Sequence, residues 1–284
     1  MSKAEIIVGV WQGILILAGF VAAGFQISAL RRVPAHAKLP AWNAPASSFF
    51  AFSGIAVFCV FAVGMLCSAT AQAIFPGLIA EKNDVIYLIP ATQTLSLLAL
   101  LFFIKIFPNA FPENLNAAPN DRTPLSAWLL PTNRFCVPAL FLVGFSVSAV
   151  AAWLVAAVVT LAPESVQAIF RENQILVEAF SRAENPLIPL LCVPAIAIFT
   201  PIIEEIIFRA GLYRFLKSKM RAVPAAVLSS IVFALMHDAP ISYLPLTLLG
   251  CIFCFAYEKT GRLAAPIIVH GLFNANTLLC LAFL

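Results

Sequence analysis

Two adjacent carboxylates, Glu204 and Glu205, interrupt the apolar run PIIEEIIFRAGLYR (201–214), and Arg209 follows them. Charged side chains in a hydrocarbon setting are costly, so they face a partner or a polar cavity and mark function. On a helix Glu205 and Arg209 stand at i and i+4 and can pair on one face, whereas Glu204 is turned about 100° away. One carboxylate can then be held rigid while its neighbour stays reactive. The competing reading is a charge cluster that only stabilises a helix bundle.

The histidines weigh against that plainer reading. The chain has three, and His36 lies in a loop with no chemical context. His237 follows SSIVFALM, with Phe233 one turn earlier on the same face; His270 opens HGLFN, with Asn274 at i+4. A single membrane histidine commonly serves as an interhelical hydrogen-bonder. Two of them beside a glutamate pair, an arginine and an asparagine form a more demanding coincidence. At 1.5 Å rise per residue, Glu204 lies about 20 Å from Lys217, His237 about 24 Å from Arg221, and His270 and Asn274 about 12 and 18 Å from Arg262. The three segments thus place their polar groups in one overlapping layer, where they could line a single cavity.

The elements that must hold this layer are membrane helices. Of 284 residues, 62% are hydrophobic and 11% charged, with mean hydropathy +0.98; soluble domains carry about a quarter charged residues. The fold class is all-α, a polytopic membrane protein. At about 20 apolar residues per span, about eight spans are expected, at roughly 6–30, 49–75, 85–107, 135–161, 186–213, 222–238, 241–257 and 263–284. The sixth and seventh are short and joined at Asp238-Ala239-Pro240, which predicts a tight helical hairpin. The apolar run from Ile6 to Leu30 is too long for a signal peptide, and Arg31, Arg32 and Pro34 separate it from the cleavage-like Ala35-His36-Ala37.

Basic residues set the expected orientation. Arg31, Arg32, Lys38, Lys105, Arg122, Arg134, Arg214, Lys217, Lys219, Arg221, Lys259 and Arg262 fall on one side, against Lys3, Lys82, Arg171 and Arg182 on the other. The bias predicts both termini outside and the 214–221 loop in the cytoplasm. It also accounts for the net charge of +4 without a nucleic-acid partner. Pro108–Arg134 reads as an irregular loop, and 165–183 has the spacing of an interfacial amphipathic helix. The seven cysteines, 59, 67, 136, 192, 251, 254 and 280, lie in or beside apolar runs, so packing is expected even for the C-x-x-C pair Cys251 and Cys254.

EEIIFR (204–209), SSIVFALMH (229–237) and HGLFN (270–274) resemble, in order and spacing, the E-E-x-x-x-R, F-x-x-x-H and H-x-x-x-N motifs of the CAAX-protease and bacteriocin-processing (CPBP) family of intramembrane proteases. YEKTGRLAAPIIVH (257–270) is similar to the family's approach to its last motif. The resemblance covers 185–284 as a catalytic transmembrane core; residues 1–184 match only as membrane helices and loops. It implies an intramembrane endopeptidase with Glu204 as the base that activates water, assisted by His237. It implies His270 and Asn274 as donors to the oxyanion of the tetrahedral intermediate, and Glu205 with Arg209, beside Phe233, as supports. It also implies a peptide or membrane-anchored protein substrate met in the lipid bilayer, prenylated or not, and a bacterial inner-membrane location with the site reached from the cytoplasmic side.

Glu204, His237 and His270 are also a ligand set that catalytic zinc uses. H-E-x-x-H is absent and the three come from separate helices, so the expectation is a metal-free glutamic-type enzyme with no cofactor, zinc being the alternative. Two further readings stand beside it: a non-proteolytic scaffold, immunity or regulatory protein of the same fold, and a proton-coupled transporter. The transporter reading calls for internal repeats, which the sequence does not show.

Overall fold

The structure, a computed structural model, describes residues 2–30, 39–75, 86–115, 137–170 and 187–283. Among these residues the chain is helical throughout, with no strand. The helices are α1 (Lys3–Leu30), α2 (Ala46–Ile74), α3 (Ile89–Ile106), α4 (Val137–Thr160), α5 (Glu164–Phe170), α6 (187–217), α7 (Ala222–Leu235), α8 (Tyr243–Thr260) and α9 (Ala264–Ala282). Hydrocarbon offers the backbone no hydrogen-bond partner, so each span must bond internally and helix is the outcome. Large apolar side chains such as Leu17, Phe25, Met65, Trp153 and Leu190 lie on the outside, where lipid replaces the solvent of a soluble fold.

Seven of these helices are long and apolar enough to cross a membrane, at the places the hydropathy pattern indicates. The sixth of the eight expected spans is α7, a shorter apolar helix of 14 residues, about 21 Å long against a hydrocarbon thickness of about 30 Å. It forms the anticipated hairpin with α8 through the 3₁₀ turn Pro240–Ser242 and packs along it. The cleavage-like Ala35-His36-Ala37, Cys136 and the greater part of the 165–183 segment lie outside the described residues; its beginning, α5, is helical. The other six cysteines are free thiols, Cys254 buried and Cys251 half-buried.

α4 and α8 are the hub of the packing. α1 lies against α4, α7 against α8, and α9 fits between α4, α8 and the first half of α6. One large apolar core runs through Phe52, Ile203, Ile207, Phe233, Leu249, Phe253 and Val269. Two glycines let the helices come this close. A Cβ on Gly250 of α8 would lie 2.8 Å from Ser230 Oγ and 3.0 Å from Arg209 Nη2, and one on Gly271 of α9 would lie 2.6 Å from the carbonyl oxygen of Ala197.

α6 is not an α-helix throughout. Ala195–Phe199 and Ile206–Tyr213 are π-helical, and α-helical turns surround them. Pro201 explains part of this, because a proline brings no N–H to the helix ladder. The N–H of Thr200 is taken by Ala195 O, and the next residue able to bond Ile196 O, five positions on, is Pro201. The carbonyl of Ile196 is therefore left without a backbone donor. Further along, Phe208 O in the second π segment accepts a bond from Ser229 Oγ of α7 at 3.0 Å.

The far end of α6 is tied down by polar contacts. Tyr213 Oη donates to Glu258 Oε1 at 2.7 Å, and Lys217 pairs with the same carboxylate and donates to Leu39 O at 2.6 Å. Arg214 donates from Nε to Pro40 O at 2.9 Å, and its own carbonyl accepts the N–H of Trp42. The basic residues that set topology in the sequence thus also clamp α6 to α8 and to the 39–42 segment.

Candidate active site

Glu205 and Arg209 are both wholly inaccessible to solvent, and Arg209 Nη1 donates to Glu205 Oε1 at 3.0 Å. The i, i+4 pairing read from the sequence is present, although Arg209 sits in the π segment. Burying two charges costs several kcal/mol per ion unless geometry and further bonds compensate. Much of the compensation here is aromatic: the guanidinium carbon lies 4.4 Å from the centre of the Phe233 ring and 4.8 Å from that of Phe253. Desolvated contacts of this kind contribute about 2 kcal/mol. Arg209 Nε and Nη2 have no hydrogen-bond partner in the protein, so the rings stand where acceptors would.

Glu205 holds a second group. His270 Nδ1 lies 2.9 Å from Glu205 Oε1, so one carboxylate oxygen receives both the arginine and the histidine. A carboxylate can only accept, which places a proton on Nδ1. The other ring nitrogen, Nε2, then faces Glu204, whose Oε2 is 3.6 Å away. That distance is a close charge contact and too long for a hydrogen bond, and Glu204 Oε2 has no hydrogen-bond partner in the protein. Glu204 is also the more open carboxylate, with its side chain 22% accessible against 0% for Glu205. The two glutamates thus flank His270, and each keeps its Oε2 without a partner among the described residues; they differ in that Glu205 is wholly buried and bonded through Oε1, whereas Glu204 is partly accessible.

Asn274 lies one turn beyond His270 on α9, and its Nδ2 donates to Ile196 O at 2.9 Å. That is the carbonyl that the π turn and Pro201 leave over. The asparagine locks α9 to α6, and its amide carries a second N–H. Gly271 sits between them where α9 meets the first π segment, so a larger residue would push His270 and Asn274 away together.

His237, the assisting residue that the resemblance implies, follows the end of α7. Its ring packs edge-on against Phe233, with centres 5.0 Å apart, and its Nδ1 lies 3.0 Å from Phe233 O. A carbonyl only accepts, so Nδ1 carries the proton and Nε2 the lone pair. No hydrogen bond or ion pair joins it to either glutamate among the described residues; Phe233, whose ring centre is also 5.8 Å from that of His270, touches both histidines. Among the described residues no group of three or more His, Cys, Asp or Glu side chains gathers as a metal-binding set. The zinc alternative of Glu204, His237 and His270 is not assembled among the described residues.

Phe253 escapes the sequence reading. Its ring stacks on His270 at 4.8 Å and 20° and also faces Arg209, yet in the sequence it is one apolar residue of CIFCFAY.

The comparison with known proteins falls on the segment that builds this geometry. The family model for type II CAAX prenyl endopeptidase Rce1-like proteins matches residues 186–276. This match supports the resemblance to the CPBP family over that segment. The putative membrane peptidase YdiL of Bacillus subtilis is 36% identical over 87 residues, 31% of this chain and 35% of that protein. The membrane-embedded CAAX protease MroQ of Staphylococcus aureus is 35% identical over 86 residues, 28% of this chain and 34% of that protein. The UPF0177 protein in abiGi 5'region of Lactococcus lactis subsp. cremoris is 38% identical over 84 residues, again 28% and 34%. The matches span about a third of each of these relatives. No solved structure matches.

Replacing Asn274 by leucine removes the donor for Ile196 O and leaves a buried carbonyl unpaired, at a cost of about 1–3 kcal/mol. Thermal unfolding of the purified chain in detergent should show a clearly lowered midpoint; an unchanged midpoint would mean that this bond does not hold α9 to α6.

Proposed function

We propose that this chain is an intramembrane endopeptidase that hydrolyses a peptide bond near the cytoplasmic face with water activated by Glu204. The observation that carries the reading is the flanked histidine, with Glu205 fixing His270 on one side and Glu204 keeping a partnerless oxygen on the other. Glu204 takes a proton from water, and the water oxygen attacks the carbonyl carbon of the substrate. The carbonyl electron pair moves onto its oxygen. With Nδ1 bonded to Glu205, His270 in its doubly protonated form presents Nε2–H to that oxyanion, and the second amide N–H of Asn274 joins it. Preorganised donors of this kind contribute about 3–4 kcal/mol each in a site shielded from water. The proton held by Glu204 then passes to the leaving nitrogen as the C–N bond breaks. His237, with its lone pair on Nε2, assists as a hydrogen-bond acceptor that orients the water and takes no proton in this step.

In this reading 185–284 is the catalytic core, and it works without a cofactor. The names of MroQ and of the Rce1-like family suggest C-terminal CAAX-type tails or other membrane-associated peptides as the substrate class. The bias of basic residues supports an orientation with both termini outside, in a bacterial inner membrane.

Two measurements test these statements. Membrane peptides from cells carrying the unmodified chain or Glu204→Ala are compared by mass spectrometry, and the cleavage found is repeated with purified protein. Products absent from the variant, and formed equally in the presence of a chelator, are expected. Identical peptide sets would remove proteolysis and favour the scaffold or immunity reading, and loss on chelation with rescue by zinc would restore the metal alternative. For the orientation, a reporter fused after Leu284 should be active only outside the cytoplasm; activity inside would invert the topology.

A further inference from the structure

Phe253 carries two of the site's charged or polar partners on one ring. Its face is stacked on the His270 imidazole, with centres 4.8 Å apart and planes 20° from parallel, and the Arg209 guanidinium lies 4.8 Å from the same ring centre. Phe253 itself is completely buried. The neighbouring ring, Phe233, meets His270 edge-on at 90°, so the imidazole is bounded by a face on one side and an edge on another. Gly250, three residues earlier and on the same side of α8, lets that helix approach Arg209 closely enough for the stack to form.

Both contacts bear on the direction in which His270 points. An imidazole bonded at Nδ1 alone can still rotate about that bond, and its Nε2 would then sweep across the site. A stacked ring removes this freedom by fixing the imidazole plane, and with Nδ1 held by Glu205 the position of Nε2 beside Glu204 is determined. The same ring face, electron-rich, supplies attraction for the guanidinium nitrogens that have no hydrogen-bond partner. Without it Arg209 would compete more strongly for the single Glu205 oxygen that also receives His270.

We infer that Phe253 is a positioning residue whose ring face sets the orientation of His270 and keeps its Nδ1–H on Glu205, acting on Arg209 and His270 together. The activity part of the inference rests on the peptidase reading above; the orientation part does not.

The full-length chain contains three histidines, so ¹⁵N-histidine labelling in detergent micelles gives three imidazole signal sets, assigned with His36→Ala and His270→Asn. The unmodified chain should show a protected Nδ1 proton at His270. In Phe253→Leu that proton should be lost or exchange at least about tenfold faster. Because the leucine variant can fail to fold, a second series places 4-fluoro-, 3,5-difluoro- and pentafluorophenylalanine at position 253, keeping the shape while draining the ring face. Exchange at His270 should quicken stepwise along the series, and kcat for peptide hydrolysis should fall in the same order with KM unchanged. Fluorinated rings indistinguishable from phenylalanine would show that Phe253 only fills space and would overturn the inference, as would a His270 signal indifferent to leucine. Absence of hydrolysis by the unmodified chain would instead overturn the peptidase reading, and the exchange series would still decide the role of Phe253.

Discussion

The wholly buried ion pair between Glu205 and Arg209 is the constraint on which the rest of the structure depends. Removing one partner of such a pair leaves an uncompensated charge and costs about 3–5 kcal/mol, so the neighbouring helices are arranged to keep both. α7 and α8 contribute the rings of Phe233 and Phe253 to the guanidinium, α8 gives up a side chain at Gly250 to let it fit, and α9 brings His270 to the carboxylate. Four helices meet at one pair of charges. The site is assembled by the need to satisfy that pair, and the reactive geometry at Glu204 follows from it.

Backbone irregularity does the remaining alignment. In a regular α-helix through 195–213 Ile196 O would take the N–H of Thr200, and Pro201 would leave the carbonyl of Ala197 over instead. The two π segments, with Pro201 between them, release Ile196 O to Asn274 and set Phe208 O within reach of Ser229. π-helical turns are uncommon and concentrate at functional sites. Here their effect is concrete: each freed carbonyl is a fixed point that registers a neighbouring helix against α6, and the side chains on those helices inherit that register.

Much of this was legible in the sequence, for reasons that are physical. Long apolar runs admit only one backbone solution in hydrocarbon, so the helices and the α7–α8 hairpin could be placed, and i, i+4 spacing was enough to pair Glu205 with Arg209. The sharing of Glu205 between Arg209 and His270 was not legible, because spacing along one helix says nothing about which carboxylate a second helix will meet. Nor did the sequence show that His237 Nδ1 bonds back to Phe233 O. α7 was legible as a short apolar helix joined closely to α8, and its 14 residues agree. Pro201 was visible as a break in the backbone ladder, but its consequence at Ile196 appears only when Asn274 is beside it. Phe253 carried no signal, since an aromatic in an apolar helix is ordinary until its neighbours are known.

The central claim is that adjacent glutamates on one membrane helix divide the work, Glu205 holding the structure and Glu204 performing the chemistry. Its most direct test is to measure the unfolding midpoint and the rate of peptide hydrolysis together for Glu204→Gln and Glu205→Gln in the same detergent. The account predicts that Glu204→Gln keeps the midpoint of the unmodified chain and loses hydrolysis, while Glu205→Gln lowers the midpoint. A Glu204→Gln protein that is destabilised, or a Glu205→Gln protein that is as stable as the unmodified chain, would contradict it.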